Sequence, residues 1–338
     1  MEQAQGDHMA ERAHPRPKIY PPPEFPPRRP GRFARTPPAV FPVILGLLGL
    51  GLALRRGLEA AGLPSGLADL VLGAVAVLWG FAVFAYLAKM ARRASVVLED
   101  LRVLPGRAGL AAMTMGALAL AAVVAPMSVP MGRAFLVVGL VGHGLVLLAT
   151  LRVLWSLSPE ARGVTPAFHL TFVGFIVGGL AAPVVGWEGL ARALLWGTMP
   201  LAAVIWGVSA VQLVRRIPPA PLRPLLAIHL APASLFALVS AGIGLPDVAL
   251  GFVVFGTLIL LGLIGASRWI AESGFSALWA SITFPLAAYS SALFAVGFDL
   301  AGMAALLAAL GLVPWIAWRV VTLWGSGRLA AVTNAAEV

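Results

Sequence analysis

Cysteine is absent from the 338 residues. Disulfides, thiolate metal sites and a cysteine nucleophile are therefore excluded. Charge is scarce as well: 11% of residues are Asp, Glu, Lys or Arg, against about 25% in a soluble domain. Phosphate-binding loops, nucleophile elbows and zincin motifs are missing too. Outside the two ends of the chain, Asp and Glu sit only near the ends of apolar runs, never at their middles. This argues against a proton-coupled pump and against a cation pore built on acidic rings.

What the chain has in excess is apolar surface, with 60% hydrophobic residues. That is more than one core can bury, so the surplus must face lipid. The apolar runs lie at about 39–60, 66–90, 108–128, 132–156, 166–186, 189–214, 222–243, 247–270, 275–298 and 300–324. Each is near the roughly 20 residues needed to cross the hydrocarbon layer. The expected fold is an all-α polytopic membrane protein of about ten transmembrane helices. Three segments follow: a basic, Pro-rich tail over 1–38, a transmembrane domain over 39–325 and a short tail over 326–338. The first tail reads as a retained cytoplasmic segment. Its Arg28-Arg29 pair precedes an apolar run that lacks a small-residue cleavage site, which argues against an export signal.

The net charge is +10. Its distribution points to topology rather than to nucleic acid. With the N-terminus inside and ten crossings, 20 of the 24 Lys and Arg fall on the inner side, leaving only Arg55, Arg56, Arg133 and Arg192 outside. Such a split is the positive-inside signature, with both termini cytoplasmic.

Prolines favour the odd runs: Pro42 in the first, Pro126 in the third, Pro166 and Pro183 in the fifth, Pro232 in the seventh and Pro285 in the ninth. The even runs hold Pro200 and Pro314. Proline removes a backbone hydrogen bond and kinks a helix, and in lipid the freed carbonyl needs protein or water beside it. Kinked odd helices can therefore line a shared path; simple enrichment of proline in transmembrane helices is the alternative. His143, His169 and His229 fall within runs. They read as imidazoles hydrogen-bonded between helices, with a pathway role as the second reading. Gly174 and Gly178 form a GxxxG of the kind that packs helices closely. No cofactor or metal set is apparent.

Phe275-Ser276-Ala277-Leu278-Trp279-Ala280-Ser281-Ile282-Thr283-Phe284-Pro285-Leu286 resembles the ninth helix of the tellurite-resistance/dicarboxylate transporter family, approximately F-S-x-x-W-W-A-Y-S-F-P-L. Bacterial TehA and the slow-type anion channels of plant guard cells belong to that family. Leu230-Ala231-Pro232-Ala233, Thr150-Leu151-Arg152-Val153, Thr165-Pro166-Ala167-Phe168 and the Glu99…Pro105-x-Arg107 stretch resemble further family elements in the same order, over roughly residues 36–325. The departures are Ala280 and Ile282, which stand where the family has aromatic residues. The resemblance implies five helical hairpins around a central five-helix pore, odd helices inside, and a homotrimer in a bacterial inner membrane. It implies an anion channel or channel-like permease with Phe284 as the occluding gate. Pro42, Pro183, His229, Pro232 and Pro285 would line or kink the path, and small inorganic or organic anions would be carried. A secondary transporter or exporter of dicarboxylate, sulfite or related oxyanions, with a tellurite-resistance phenotype, is the alternative.

Overall fold

The computed structural model describes residue 31 and residues 33–338, without the side chains of residues 160 and 161. The part of the expected tail at residues 1–30 and 32 lies outside the described residues. Nine helices among the described residues are long and apolar enough to cross a membrane. They are α1 (Phe41–Ala60, entered through a 3-10 turn at Pro38–Val40), α2 (Gly66–Arg92), α4 (Leu104–Val124), α5 (Val129–Ser156), α6 (Glu188–Arg215), α7 (Leu230–Gly242, entered through a 3-10 stretch at Ala220–His229), α8 (Pro246–Gly265), α10 (Ala280–Ala295, entered through Ala277–Trp279) and α11 (Asp299–Gly325). Short helices α3 (Val96–Arg102), α9 (Ser267–Ile270) and α12 (Arg328–Val332) cover one end.

The fifth apolar run departs from a regular helix. Its central segment, His169–Leu180, is a π-helical turn at His169–Val173 followed by a 3-10 stretch at Gly174–Leu180. The cause is local. Gly174, Gly178 and Gly179 are poor helix formers that let other side chains come close. A Cβ on Gly174 would lie 2.8 Å from the His143 ring and 2.9 Å from Met115 Sδ, and one on Gly179 would lie 2.8 Å from Val239. π and 3-10 hydrogen bonds replace the α-helical ladder here, and neighbouring side chains pack into the glycine face. Non-α backbone at membrane depth is tolerated because it is enclosed by protein.

Burial alternates along the chain. In the first, third, seventh and ninth runs 61–78% of the apolar stretch is buried; in the even runs only 17–33% is. The even helices present Leu70, Val138, Val214, Leu258 and Leu307 fully outward. Exposed apolar residues on this scale belong in hydrocarbon rather than water. The buried runs close on one another: α1 on α4, α4 on the 3-10 stretch of the fifth run, that stretch on α7, α7 on α10 and α10 back on α1. Each inner run also packs on the outer helix that follows it. The chain is therefore a polytopic, all-helical membrane protein with an inner set of odd runs and an outer set of even helices.

Two of the prolines act differently from the kinks expected of them. Pro42 and Pro232 sit in the first turns of α1 and α7, where the missing N–H would have no intrahelical partner. Pro285 is inside α10 and does break the ladder, so the Ser281 carbonyl loses its N–H donor.

The basic end, where the odd runs start, is tied together by a buried network. Lys89 Nζ lies 3.0 Å from Asp100 Oδ2, and both side chains are wholly buried. Tyr86 Oη donates to the same carboxylate at 2.9 Å, Ala336 N donates to Asp100 Oδ1 at 2.8 Å, and Lys89 Nζ donates to Thr36 O at 3.1 Å. Residues 33–38, read as tail from the sequence, are packed here: Ala34 and Thr36 are buried, and Phe33 meets Phe81 and Phe84 edge-on. At the opposite end the four basic residues include Arg55, paired with Asp69 at 2.7 Å, and Arg133 and Arg192, which donate to Val185 O and Ile243 O. Those three guanidiniums are spent on holding helix ends together.

Candidate functional site

The inner runs line a narrow cavity of about 60 Å³. All five contribute to it. Pro42 and Leu45 come from α1, Met115 from α4, His169 and Ile176 from the fifth run, Pro232 and Leu235 from α7, and Ser281, Phe284 and Pro285 from α10. Pro105, at the start of α4, also faces it. No lining residue carries a charge; His169 and Ser281 bring its polar side chains. Ser281 Oγ is itself occupied, donating to Pro224 O at 2.6 Å.

Phe284 is 6% exposed and projects from the point where α10 loses a backbone hydrogen bond at Pro285. Its ring is seated on α1. A Cβ at Gly49 would lie 2.9 Å from Phe284 Cδ2, and a Cβ at Gly46 would collide with Thr283. Two glycines one turn apart thus let α1 and α10 approach until the phenyl ring lies on bare backbone. Thr283 Oγ1 donates to Ala280 O at 2.7 Å, which keeps this turn of α10 hydrogen-bonded next to the proline. A phenyl ring in an uncharged bore offers an ion neither water nor a compensating dipole, so dehydration opposes passage.

The structure brings four of the six residues singled out from the sequence to this cavity: Pro42, Pro232, Phe284 and Pro285. His229 stands behind the lining. Its Nδ1 is 3.0 Å from His169 Nε2, and its carbonyl accepts from Trp206 Nε1 at 3.2 Å. His143 likewise bridges helices, 2.7 Å from Thr114 Oγ1, so the interhelical reading holds for all three histidines. Pro183 lies in the turn after the 3-10 stretch, apart from the cavity lining. Sequence reasoning passed over Gly46 and Gly49. Their signal is a small-residue stripe on α1 at positions 46, 49 and 53, which gains meaning only once α10 is known to be the partner.

The chain matches the family described as voltage-dependent anion channel over residues 35–324. It belongs to that family. Membership places the chain among anion channels and transporters of the membrane. No curated protein sequence matches it. In this anion-channel family member the Glu99…Arg107 stretch seen in the sequence is a structural joint. The Arg93 guanidinium hydrogen-bonded to Glu99 holds that carboxyl below the usual carboxylate range. Arg107 Nε donates to Leu101 O at 3.2 Å.

Proposed function

We propose that the chain is an anion channel or channel-like anion permease of the TehA type, with the central cavity as its path and Phe284 as the gate that occludes it. The observation that carries this reading is the position of Phe284. It pairs with a helix-breaking Pro285 on a wall to which all five inner runs contribute, and no titratable carboxylate lines that wall. An anion crossing an uncharged bore needs no coupled proton, which favours a channel-like path over a coupled carrier. Pro42, Pro232 and Pro285 shape the bore in this reading, with His229 fixing His169 from behind and Pro183 ending the fifth run.

The alternative, a secondary carrier for dicarboxylate, sulfite or related oxyanions, is favoured by the irregular fifth run. Broken helices are where carriers bind substrate. Voltage-clamped conductance that outruns any coupled flux separates the first reading from the second; stoichiometric coupling would select the carrier.

The unit is a homotrimer in a bacterial inner membrane, a proposal resting on the family resemblance. Both termini are cytoplasmic, a proposal supported by the basic asymmetry. Single cysteines at Ala10 and Ala336 in the otherwise cysteine-free chain are expected to react with an impermeant maleimide only after the inner face is opened. Labelling in intact cells would reverse the topology.

A further inference from the structure

At the basic end the cavity meets a second, wider cleft of about 630 Å³, and the two share Pro105, Ala277 and Leu278. Its wall carries two guanidiniums, Arg319 near the end of α11 and Arg328 at the start of α12. Among the described residues neither has an ion-pair or hydrogen-bond partner. The described carboxylates at this end are all engaged elsewhere: Glu99 with Arg93, Asp100 with Lys89, Glu272 with Arg223 and Glu337 with Arg35. The cleft therefore keeps uncompensated positive charge against an apolar wall, the arrangement that focuses a field on counter-ions.

The Arg319 side chain is held in place, and the backbone that carries Arg328 is fixed. The Arg319 guanidinium carbon is 4.3 Å from the Phe275 ring centroid and 5.5 Å from that of Trp315. Such stacking covers the face of the guanidinium and leaves its in-plane N–H donors free for oxygens. Arg328 is carried by α12, whose position is fixed just beyond it by Ala336 N on Asp100 and by the Glu337–Arg35 pair at 3.0 Å. Ser276 also lines the cleft, and its Oγ has no partner among the described residues, whereas the hydroxyls of Thr322 and Thr333 are satisfied by their own helices.

We propose that Arg319 and Arg328 form an anion-capture site in this cleft, with Ser276 beside it. Its ligand is a small planar oxyanion, nitrate or a carboxylate, whose oxygens match the guanidinium fork. The site concentrates anions at one mouth of the path, and in that role it rests on the channel reading above.

Two measurements on the full chain test it. In detergent, replacing chloride by nitrate at constant ionic strength is expected to raise the wild-type Tm saturably, because a ligand that binds only the folded state stabilises it. The rise should vanish in R319Q/R328Q and persist in part in R319K/R328K. An equal rise in the Gln double variant overturns the site. Arg328→Gln alone, which touches no aromatic ring, reports the same loss if the double variant fails to fold. In planar bilayers at low salt, with the path opened by Phe284→Ala, the nitrate concentration that half-saturates current drawn from the basic end is expected to rise roughly tenfold when R319Q/R328Q is added. It should stay unchanged for current drawn from the other end. The difference should collapse near 1 M salt, where the screening length is about 3 Å. Current from the Phe284→Ala protein with unaltered saturation after the added R319Q/R328Q change sinks the capture site and leaves the channel reading standing. Arginine-dependent stabilisation with no current even from a folded Phe284→Ala protein supports the site and sinks the channel reading instead.

Discussion

Phe284→Ala is expected to raise basal anion conductance by at least about tenfold, since lowering the barrier by only ~1.4 kcal/mol gives that factor. The substitution removes the one ring that projects from the Pro285 break into the cavity and leaves a space above Gly49. Water can then follow the ion through the neck, so less of its hydration is lost at the narrowest point. Phe294→Ala on the same helix is the matched control. Phe294 packs on Gly57 and Gly302 at the periphery and does not line the cavity, so its loss should change conductance little. Both variants are to be compared at wild-type oligomeric mass in native membranes, where three copies are expected. Equal currents from the two substitutions, or a closed Phe284→Ala that keeps its fold and assembly, would refute the gate.

Asp100→Ala is expected to cost about 3–5 kcal/mol, the range for breaking a buried ion pair by removing one partner. The Lys89 ammonium would remain wholly buried with Thr36 O as its remaining acceptor. Tyr86 Oη and Ala336 N would lose their acceptor as well. Because these bonds join α2, α3, the segment before α1 and the C-terminal residues, the loss is shared by the whole basic end. A Tm lowered on the order of 10 °C follows. The double replacement Lys89→Met with Asp100→Leu should recover much of it, because no buried charge is then unpaired. A single Asp100→Ala with unchanged Tm would show that the pair contributes nothing net to the fold.

How much of this could be read from the sequence differs by feature. The crossings were legible because apolar length and charge placement are one-dimensional properties, whereas the odd-inside layering came through the family resemblance and the proline pattern. Apolar length marks each crossing, and the loops carry the basic asymmetry. The irregular backbone of the fifth run was not, because hydropathy counts Gly174, Gly178 and Gly179 as ordinary span residues. Their effect arises from His143, Met115 and Val239, which come from other elements. Pro42 and Pro232 look like kinks when only run membership is known; they are helix starts once the 3-10 entries are seen. The sequence does not single out the Lys89–Asp100 couple. Arg92, Arg93 and Glu99 compete for the same pairing at similar separations, so only the turn into α3 selects the buried couple. Phe284 was legible through its motif alone, being one of 16 phenylalanines. Its seat on Gly49 required the α1–α10 contact. Arg319 counted only towards topology, since its stacking on Phe275 depends on α10 and α11 lying side by side.

The reversal potential of the Phe284→Ala protein under a tenfold sodium chloride gradient tests the central claim most directly. If an uncharged bore opened by loss of the ring passes anions, the potential should approach the chloride value, about 59 mV for one elementary charge. Its sign should mark the anion, and the size should fall when nitrate is added to the dilute side. A potential near zero, or one of the sign set by sodium, would contradict a phenylalanine-gated anion path.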